Sequence, residues 1–251
     1  MRPPVLLLTC EHGGAEVPTR YAELFSSPSA QRSLRSHRGC DLGALSLARA
    51  LQRSLGAPLY ASTVTRLLVD LNRSVGHPRL FSELSKKLSA AERVAVLDEH
   101  YFPHRDAVEA WIDGRVRKGA RVVHVGVHSF APRMDGRLRT ADVGLLYDPS
   151  RATERAFCQT WKDALGEIDP DLRVRRNYPY LGKADGFVTY LRRIFDQSRY
   201  LGIELEMNQS FLATPHGKRR AAGTISSSLR AITNSAKARP SQRRSSQLER
   251  R

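Results

Sequence analysis

At residues 5–14 the chain reads Val5-Leu6-Leu7-Leu8-Thr9-Cys10-Glu11-His12-Gly13-Gly14. The apolar half of this run has the length of a buried strand. Two glycines directly after the histidine let the backbone approach a ligand closely. Ligands of open α/β sheets bind beyond the carboxyl ends of the strands. We therefore expect a first strand over residues 5–9 that leads directly into a functional loop.

Strand-like apolar runs alternate with helix-like amphipathic stretches along the rest of the sequence. This alternation is typical of a mostly parallel sheet that is covered by helices on both faces. The further strands are expected over residues 58–62, 67–71, 121–128, 143–147, 172–175 and 200–207. Helices are expected over residues 41–56, 89–119, 151–165 and 186–196, the second with a capping box at Ser89 and a kink at Pro103. The predicted fold class is α/β, with a mostly parallel, mixed sheet.

The composition is that of a globular protein, with 41% hydrophobic and 26% charged residues. A length of 251 residues suffices for one domain with a buried core and is short for two, so we predict a single catalytic domain over residues 1–212. No apolar run approaches the roughly 20 residues that span a bilayer, which argues against a membrane partner. The cysteines, Cys10, Cys40 and Cys158, show no paired spacing. We therefore expect a reducing, cytoplasmic location.

The net charge of +16 raises the question of a nucleic-acid partner. Residues 213–251 contain ten Lys or Arg and a single acid, Glu249, so they contribute more than half of this charge. The segment has almost no aromatic residues and too few apolar residues for a core. We expect a disordered basic tail over residues 213–251, through which nucleic acid would bind weakly at most.

Two histidines and one acid lie close to the ends of predicted strands. His12 follows the first strand, His128 ends the strand over 121–128, and Asp41 begins a helix, where it serves as the N-cap or as a metal ligand. Alternation places His124 on the same face as His128, but in mid-strand, where we predict a structural role. A single histidine is more often a packed core residue than a ligand. Two histidines and one carboxylate, however, form the ligand set of a catalytic zinc site.

A second histidine pair, His100 and His104, has the four-residue spacing of metal ligands on a helix. Pro103 disturbs that helix, so we do not predict these residues to be ligands. For His104 we expect a position behind the ligands or facing the substrate.

Residues 66–73 carry donors that suit an acidic substrate. Arg66, Asn72 and Arg73 combine planar guanidinium groups with an amide, which is well suited to bidentate hydrogen bonds to a carboxylate. Asp70 lies between them and is expected to hold these donors in place.

The last predicted strand places two acids, Glu204 and Glu206, on one face of an apolar run. Burying acids is costly unless they are paired or used. A glutamate beside a metal-bound water can accept its proton and later pass it to the leaving nitrogen. Glu206, nearer the end of the strand, is the predicted general base.

Taken in this order, the motifs resemble the N-formylglutamate amidohydrolase family from about residue 5 to residue 212. The matching elements are Cys10-Glu11-His12-Gly13-Gly14, His37-Arg38-Gly39-Cys40-Asp41-Leu42-Gly43-Ala44, Arg66 with Asp70-Leu71-Asn72-Arg73, His104, His128-Ser129, and Glu206. That family is similar to the zinc carboxypeptidases and to aspartoacylase. The resemblance implies a hydrolase-like fold of the zinc-carboxypeptidase kind, with zinc at the strand ends.

The resemblance also implies roles for residues around the cleft. Arg66, Asn72 and Arg73 would bind the substrate carboxylate, and Arg66 would also take part in catalysis. His104 and Arg139 would lie at the substrate pocket.

The sequence departs from those relatives at one ligand position. The relatives use a His-x-x-Glu pair, whereas the third residue after His12 is Ala15. The carboxylate ligand must therefore come from elsewhere, with Asp41 as the first candidate and Glu16 as the second.

The predicted function is removal of an N-formyl or other short N-acyl group from an acidic amino acid by zinc or another divalent metal. Three alternatives stay open. The first is an N-acyl amino acid deacylase or carboxypeptidase-like amidase of different specificity, and the second is a nucleic-acid-binding protein that uses the basic tail. The third is a hydrolase-like fold that has lost activity and only binds a ligand. Hydrolase activity is expected to survive truncation after Leu212.

Overall fold

The computed structural model describes residues 4–235. Its strands are β1 (Val5–Cys10), β2 (Leu59–Ala61), β3 (Val122–Phe130), β4 (Arg133–Met134), β5 (Arg137–Leu138), β6 (Val143–Leu146), β7 (Val174–Arg176) and β8 (Tyr200–Asn208). Six of them form one sheet in the order β2-β1-β3-β8-β6-β7, and β4 and β5 pair separately. The strands β2, β1, β3 and β8 are parallel, while β6 runs antiparallel to β8 and parallel to β7. The sheet is thus mixed and mostly parallel, as predicted.

The helices are α1 (Pro28–Leu34), α2 (Ala44–Leu55), α3 (Ala90–Val96), α4 (Phe102–Arg117), α5 (Ala152–Ile168), α6 (Phe187–Ile194) and α7 (Pro215–Ser235). The predicted capping box is confirmed, because the Ser89 side chain accepts from the backbone of Glu92 and the Glu92 side chain accepts from the backbone of Ser89. A π-helical turn over Leu97–Tyr101 joins α3 to α4, in the region where Pro103 predicted a kink.

Helices cover both faces of the sheet, because alternate residues of the buried strands face opposite sides. On one face Leu8 and Val125 pack with residues of α2, α5 and α7, among them Trp161. On the other face Leu7 and Val122 pack with α4 and α6. All nine residues of β3 are buried, as expected for a central strand that is covered on both sides.

The prediction of a strand over residues 67–71 is wrong. These residues form turns that fill a third apolar cluster, in which Leu68 and Val69 are buried together with Phe25 of a short 3-10 helix, Thr19–Phe25. The Asp70 backbone N–H donates to the carbonyl of Leu80, in a neighbouring loop, rather than to a strand. A short apolar run does not distinguish a strand from a buried loop.

The disorder predicted over residues 213–251 is wrong for residues 215–235, which form α7; residues 236–251 lie outside the described part of the chain. Ile225 and Leu229 of α7 are fully buried against α2 and α5. Trp161 donates a 2.9 Å hydrogen bond to the Ser228 hydroxyl. Since α7 completes the core, truncation after Leu212 is now expected to destabilise the fold instead of sparing it.

Across residues 4–235, no helix combines the length and the apolar character needed to cross a bilayer.

Candidate active site

A cleft of about 770 Å³ lies at the carboxyl ends of β1, β3 and β8. Its lining includes His12 and His128 as well as Glu204 and Glu206 of β8. Residues of the loop after β2 and of the segment 180–185 also line it. The cleft is therefore at the edge of the sheet where ligands of α/β proteins bind.

The structure brings His12, Asp41 and His128 together. Each offers one ligand atom, and the three atoms lie within 4.8 Å of one another. His12 follows β1, and His128 lies near the end of the neighbouring strand β3. The Asp41 backbone N–H donates to the His12 carbonyl at 2.9 Å, which fixes the acid beside this loop. Asp41 is not the helix N-cap, because that position belongs to Gly43, with φ of 84°.

Both imidazoles turn their Nδ1 atoms to the same carboxylate oxygen. Asp41 Oδ2 lies 2.9 Å from Nδ1 of His128 and 3.4 Å from Nδ1 of His12. On the other side of the His12 ring, Nε2 lies 2.7 Å from Asp70 Oδ1. Within residues 4–235, His12 Nδ1 is buried without a hydrogen-bond partner. Its lone pair is thus directed to the place where Asp41 and His128 meet.

This cluster fits a zinc ion. Two imidazoles and one carboxylate are ligand types of catalytic zinc, and ligand atoms about 2.1 Å from one ion in a tetrahedral arrangement lie about 3.4 Å apart. The two Asp41 contacts of 2.9 and 3.4 Å agree with such an arrangement. Glu16, the second carboxylate candidate, is exposed and hydrogen-bonded to Thr63, outside the cluster.

The electrostatics of the cluster favour positive charge. Burial acts to raise the pKa of Asp41, but His12 and His128 hold it well below its ordinary value. Burial and Arg66 act to lower the pKa of His12, yet Asp70 and Asp41 outweigh them and raise it. The pKa of His128 is likewise raised by Asp41 and Glu11 against the effect of burial. A cation bound between these groups would compensate the negative charge of the carboxylates.

Glu206 lies beside His128, because the two residues are partners in the parallel register of β3 and β8. Its Oε2 atom is buried and, among the described residues, without a hydrogen-bond partner. Burial, together with Asp41 and Glu204, raises the pKa of Glu206 to about 8, although His128 and His12 act to lower it. A bound cation would act in the same direction as His128 and His12 and lower this pKa, which favours the carboxylate form that a general base needs.

Arg66 lies in the cleft, where acids hold its guanidinium. Its Nε and Nη2 atoms donate to Asp70 Oδ2 at 3.2 and 2.7 Å, and Nη1 lies 3.4 Å from Asp41 Oδ1. Arg73 also lines the cleft and donates to the carbonyl of Asp185. Asp70 thus connects the predicted donor Arg66 to the histidine cluster.

Asn72 has two partners of its own. Its amide donates to Glu204 at 3.0 Å and accepts from the backbone of Phe187 at 2.6 Å, so it links β8 to the start of α6. Asn72 lines the cleft, but these two bonds engage one of its two amide protons and hold it between β8 and α6.

His104 and Arg139, the remaining predicted pocket residues, are not among the residues that line the cleft. His104 Nε2 is 3.6 Å from Glu11, which favours the position behind the ligands over the one facing the substrate. Arg139 contacts Tyr180, a lining residue, through a 3.1 Å hydrogen bond.

Glu11 is the residue at this site that the sequence reasoning missed. It is fully buried next to His12, and its Oε2 atom lies 3.2 Å from Nε2 of His128. The signal was present in the sequence, since an acid directly follows the apolar strand and precedes His12.

Fold and cleft together define an α/β protein with a cluster of acids and histidines at the carboxyl edge of its sheet. The chain belongs to the N-formylglutamate amidohydrolase family, whose model matches residues 5–213. It is therefore an amidohydrolase by family, and the resemblance seen in the sequence is confirmed.

Several solved structures are similar to this chain, and two of them are similar over most of both chains. The gene product Atu2144 of Agrobacterium tumefaciens is 31% identical, with a TM-score of 0.77 over 94% of this chain and 92% of the other. The N-formylglutamate amidohydrolase of Ralstonia eutropha JMP134 is 18% identical, with a TM-score of 0.70 over 94% and 95% of the two chains, which supports the fold. No curated protein matches the chain in sequence.

Proposed function

We propose that this chain is a zinc-dependent hydrolase that removes an N-formyl or another short N-acyl group from an acidic amino acid. The observation that carries the proposal is the convergence of His12, Asp41 and His128 beside Glu206 in one cleft. Family membership supplies the reaction class. The arginines of the cleft supply the preference for an acidic substrate.

His12 and His128 would hold the metal through Nδ1, and Asp41 would hold it through a carboxylate oxygen. When bound, zinc lowers the pKa of a coordinated water toward about 7 and polarises the acyl carbonyl. Glu206, whose Oε2 is buried and whose register partner is His128, would accept the proton of the attacking water and deliver it to the leaving nitrogen.

Arg66 and Arg73 would bind the substrate carboxylates by charge-assisted hydrogen bonds. Arg66 is held by Asp70 and is therefore already oriented before the substrate arrives. Such a fixed donor lowers the entropic cost of bringing the amide to the nucleophile. Arg66 would in addition stabilise the negative charge that develops on the acyl oxygen.

The test is a hydrolysis screen with zinc analysis of the purified protein. The substrates are N-formyl-L-glutamate, N-formyl-L-aspartate and N-acetyl-L-glutamate, with N-formyl-L-leucine as the neutral control. We expect about one zinc per chain, turnover of the acidic substrates, loss of turnover after chelation and recovery with added zinc. A protein that takes up no metal, or that prefers the leucine substrate, would contradict the proposal.

A further inference from the structure

Glu11 is a buried acid to which the proposed reaction gives no role. It is 1% exposed and does not belong to the cleft lining, although its neighbour His12 does. An ionised carboxylate in such a place is costly unless partners compensate its charge. The partners of Glu11 therefore indicate what it does.

Both carboxylate oxygens of Glu11 face imidazoles. Oε2 lies 3.2 Å from Nε2 of His128, and Oε1 lies 3.6 Å from Nε2 of His104. In the described part of the chain, no lysine or arginine forms an ion pair with Glu11. The charge of Glu11 is thus compensated by two histidines, one of which is a candidate metal ligand.

Acids lie at both ring nitrogens of His128, as they do at those of His12, but the hydrogen bonds differ. His12 is hydrogen-bonded at Nε2, whereas His128 is hydrogen-bonded at Nδ1 and its Nε2 approaches Glu11 without hydrogen-bond geometry. His12 has Asp70 at Nε2 and Asp41 near Nδ1, and His128 has Glu11 at Nε2 and the same Asp41 at Nδ1. A neutral imidazole carries one proton, and a metal bound at Nδ1 of His128 would leave that proton on Nε2, which faces Glu11. Carboxylates hold metal-bound histidines in this way.

His104 lies at the far side of Glu11, in the first turn of α4. Its side chain is 7% exposed, and its ring lies against Phe187, with the centroids 6.0 Å apart. His104 Nε2 and Glu11 Oε1 are 3.6 Å apart, beyond hydrogen-bond distance, and neither has a hydrogen-bond partner among residues 4–235, so each is available to the other.

We propose that Glu11 is a positioning residue that holds His128 with Nδ1 toward Asp41, and that His104 in turn holds Glu11. This inference rests on the proposed metal site, but it concerns how the protein prepares the site and not what the site hydrolyses. In this inference Glu11 orients the ring of His128 as Asp70 orients the ring of His12.

The first experiment measures zinc affinity by competition with a chelator of known affinity. Glu11→Gln keeps the size of the side chain and removes its charge, and we expect zinc to bind about 10 to 100 times more weakly. Glu11→Asp keeps the charge and should recover part of the affinity. His104→Gln should weaken zinc binding less than Glu11→Gln, and the double variant should be no weaker than Glu11→Gln alone.

Asp169→Asn is the matched control. Asp169 is also a buried acid in an ion pair, with Arg220, but it does not line the cleft. We expect this variant to bind zinc as the wild type does. A fall in affinity equal to that of Glu11→Gln would show a general effect of neutralising a buried acid and would overturn the inference.

A second measurement needs no variant. Nitrogen-15 NMR of the zinc-loaded wild type should show His128 coordinated through Nδ1 with its proton on Nε2. Coordination through Nε2, or a folded Glu11→Gln variant with wild-type zinc affinity, would overturn the role of Glu11 alone. A wild-type protein that binds no zinc would instead remove the proposed function, and this inference with it.

Discussion

The middle and the carboxyl end of β3 each carry a histidine on the same face of the strand, with opposite surroundings. His124 accepts and donates hydrogen bonds with two hydroxyl groups, since its ring nitrogens lie 2.9 Å from Thr9 Oγ1 and 2.8 Å from the Tyr200 hydroxyl. His128, four residues later, has Asp41 and Glu11 at its two ring nitrogens.

The difference shows that position along the strand decides the chemistry of this side chain. Burial lowers the pKa of His124 to about 4, so its ring is neutral at pH 7 and serves as a packed polar residue. The carboxylates around His128 raise its pKa in spite of equal burial. Hydroxyl groups satisfy a neutral ring, whereas carboxylates prepare a site for positive charge.

The largest expected effect comes from removing the imidazole at the carboxyl end. His128→Ala should lose zinc and reduce turnover by more than about 1,000-fold, because the metal contributes several kcal/mol to the reaction. His124→Leu is the control in mid-strand and should retain zinc. Zinc content and kcat/KM of both variants test the comparison. Zinc retention by His128→Ala would contradict the assignment of His128 as a metal ligand.

A smaller effect on activity, without loss of metal, is expected at Glu206. Glu206→Gln removes the predicted base next to His128 but none of the candidate ligands. We expect kcat to fall by about 100- to 10,000-fold while zinc content stays unchanged. Wild-type turnover of a zinc-loaded Glu206→Gln protein would exclude Glu206 as the base.

The smallest effect should be on stability, at His124. His124→Leu leaves the hydroxyls of Thr9 and Tyr200 without this partner, at a cost of about 1–3 kcal/mol in the free energy of unfolding. The folded pKa of about 4 lies below the ordinary 6.5, so the unfolded chain takes up a proton first as the pH falls. The wild-type advantage over the variant should be complete above pH 6.5 and shrink between pH 6.5 and 4. Urea unfolding at several pH values measures this, and a gap that widens toward pH 4 would contradict the assignment.

The sequence predicted those parts of the site that depend on local rules. Alternation and the strand-end rule place His128 and Glu206 at one edge of the sheet, and both line the cleft. Local sequence patterns do not predict the order of the strands in the sheet. For example, β8 follows β7 in the chain but lies between β3 and β6 in the sheet. Pairing over such distances depends on the whole set of strands, which no window of sequence contains.

Two errors had local physical causes. The spacing of Ala221, Ile225 and Leu229 forms an apolar stripe on α7, but the basic residues around it gave the segment the composition of a tail. Glu11 escaped notice because a buried acid is recognised by its partners, and His104 and His128 lie about 100 residues away in the chain. The metal ligands and the roles of the arginines stay predictions.

The late position of β8 in the chain sets a condition on biosynthesis. Until residues 200–208 have left the ribosome, β3 presents an open apolar edge, and such edges invite pairing with other chains. A nascent chain interrupted before this point also lacks the acid that faces His128. The sheet therefore cannot be completed before β8 has been synthesised, and products that terminate before β8 are expected to be insoluble as well as inactive.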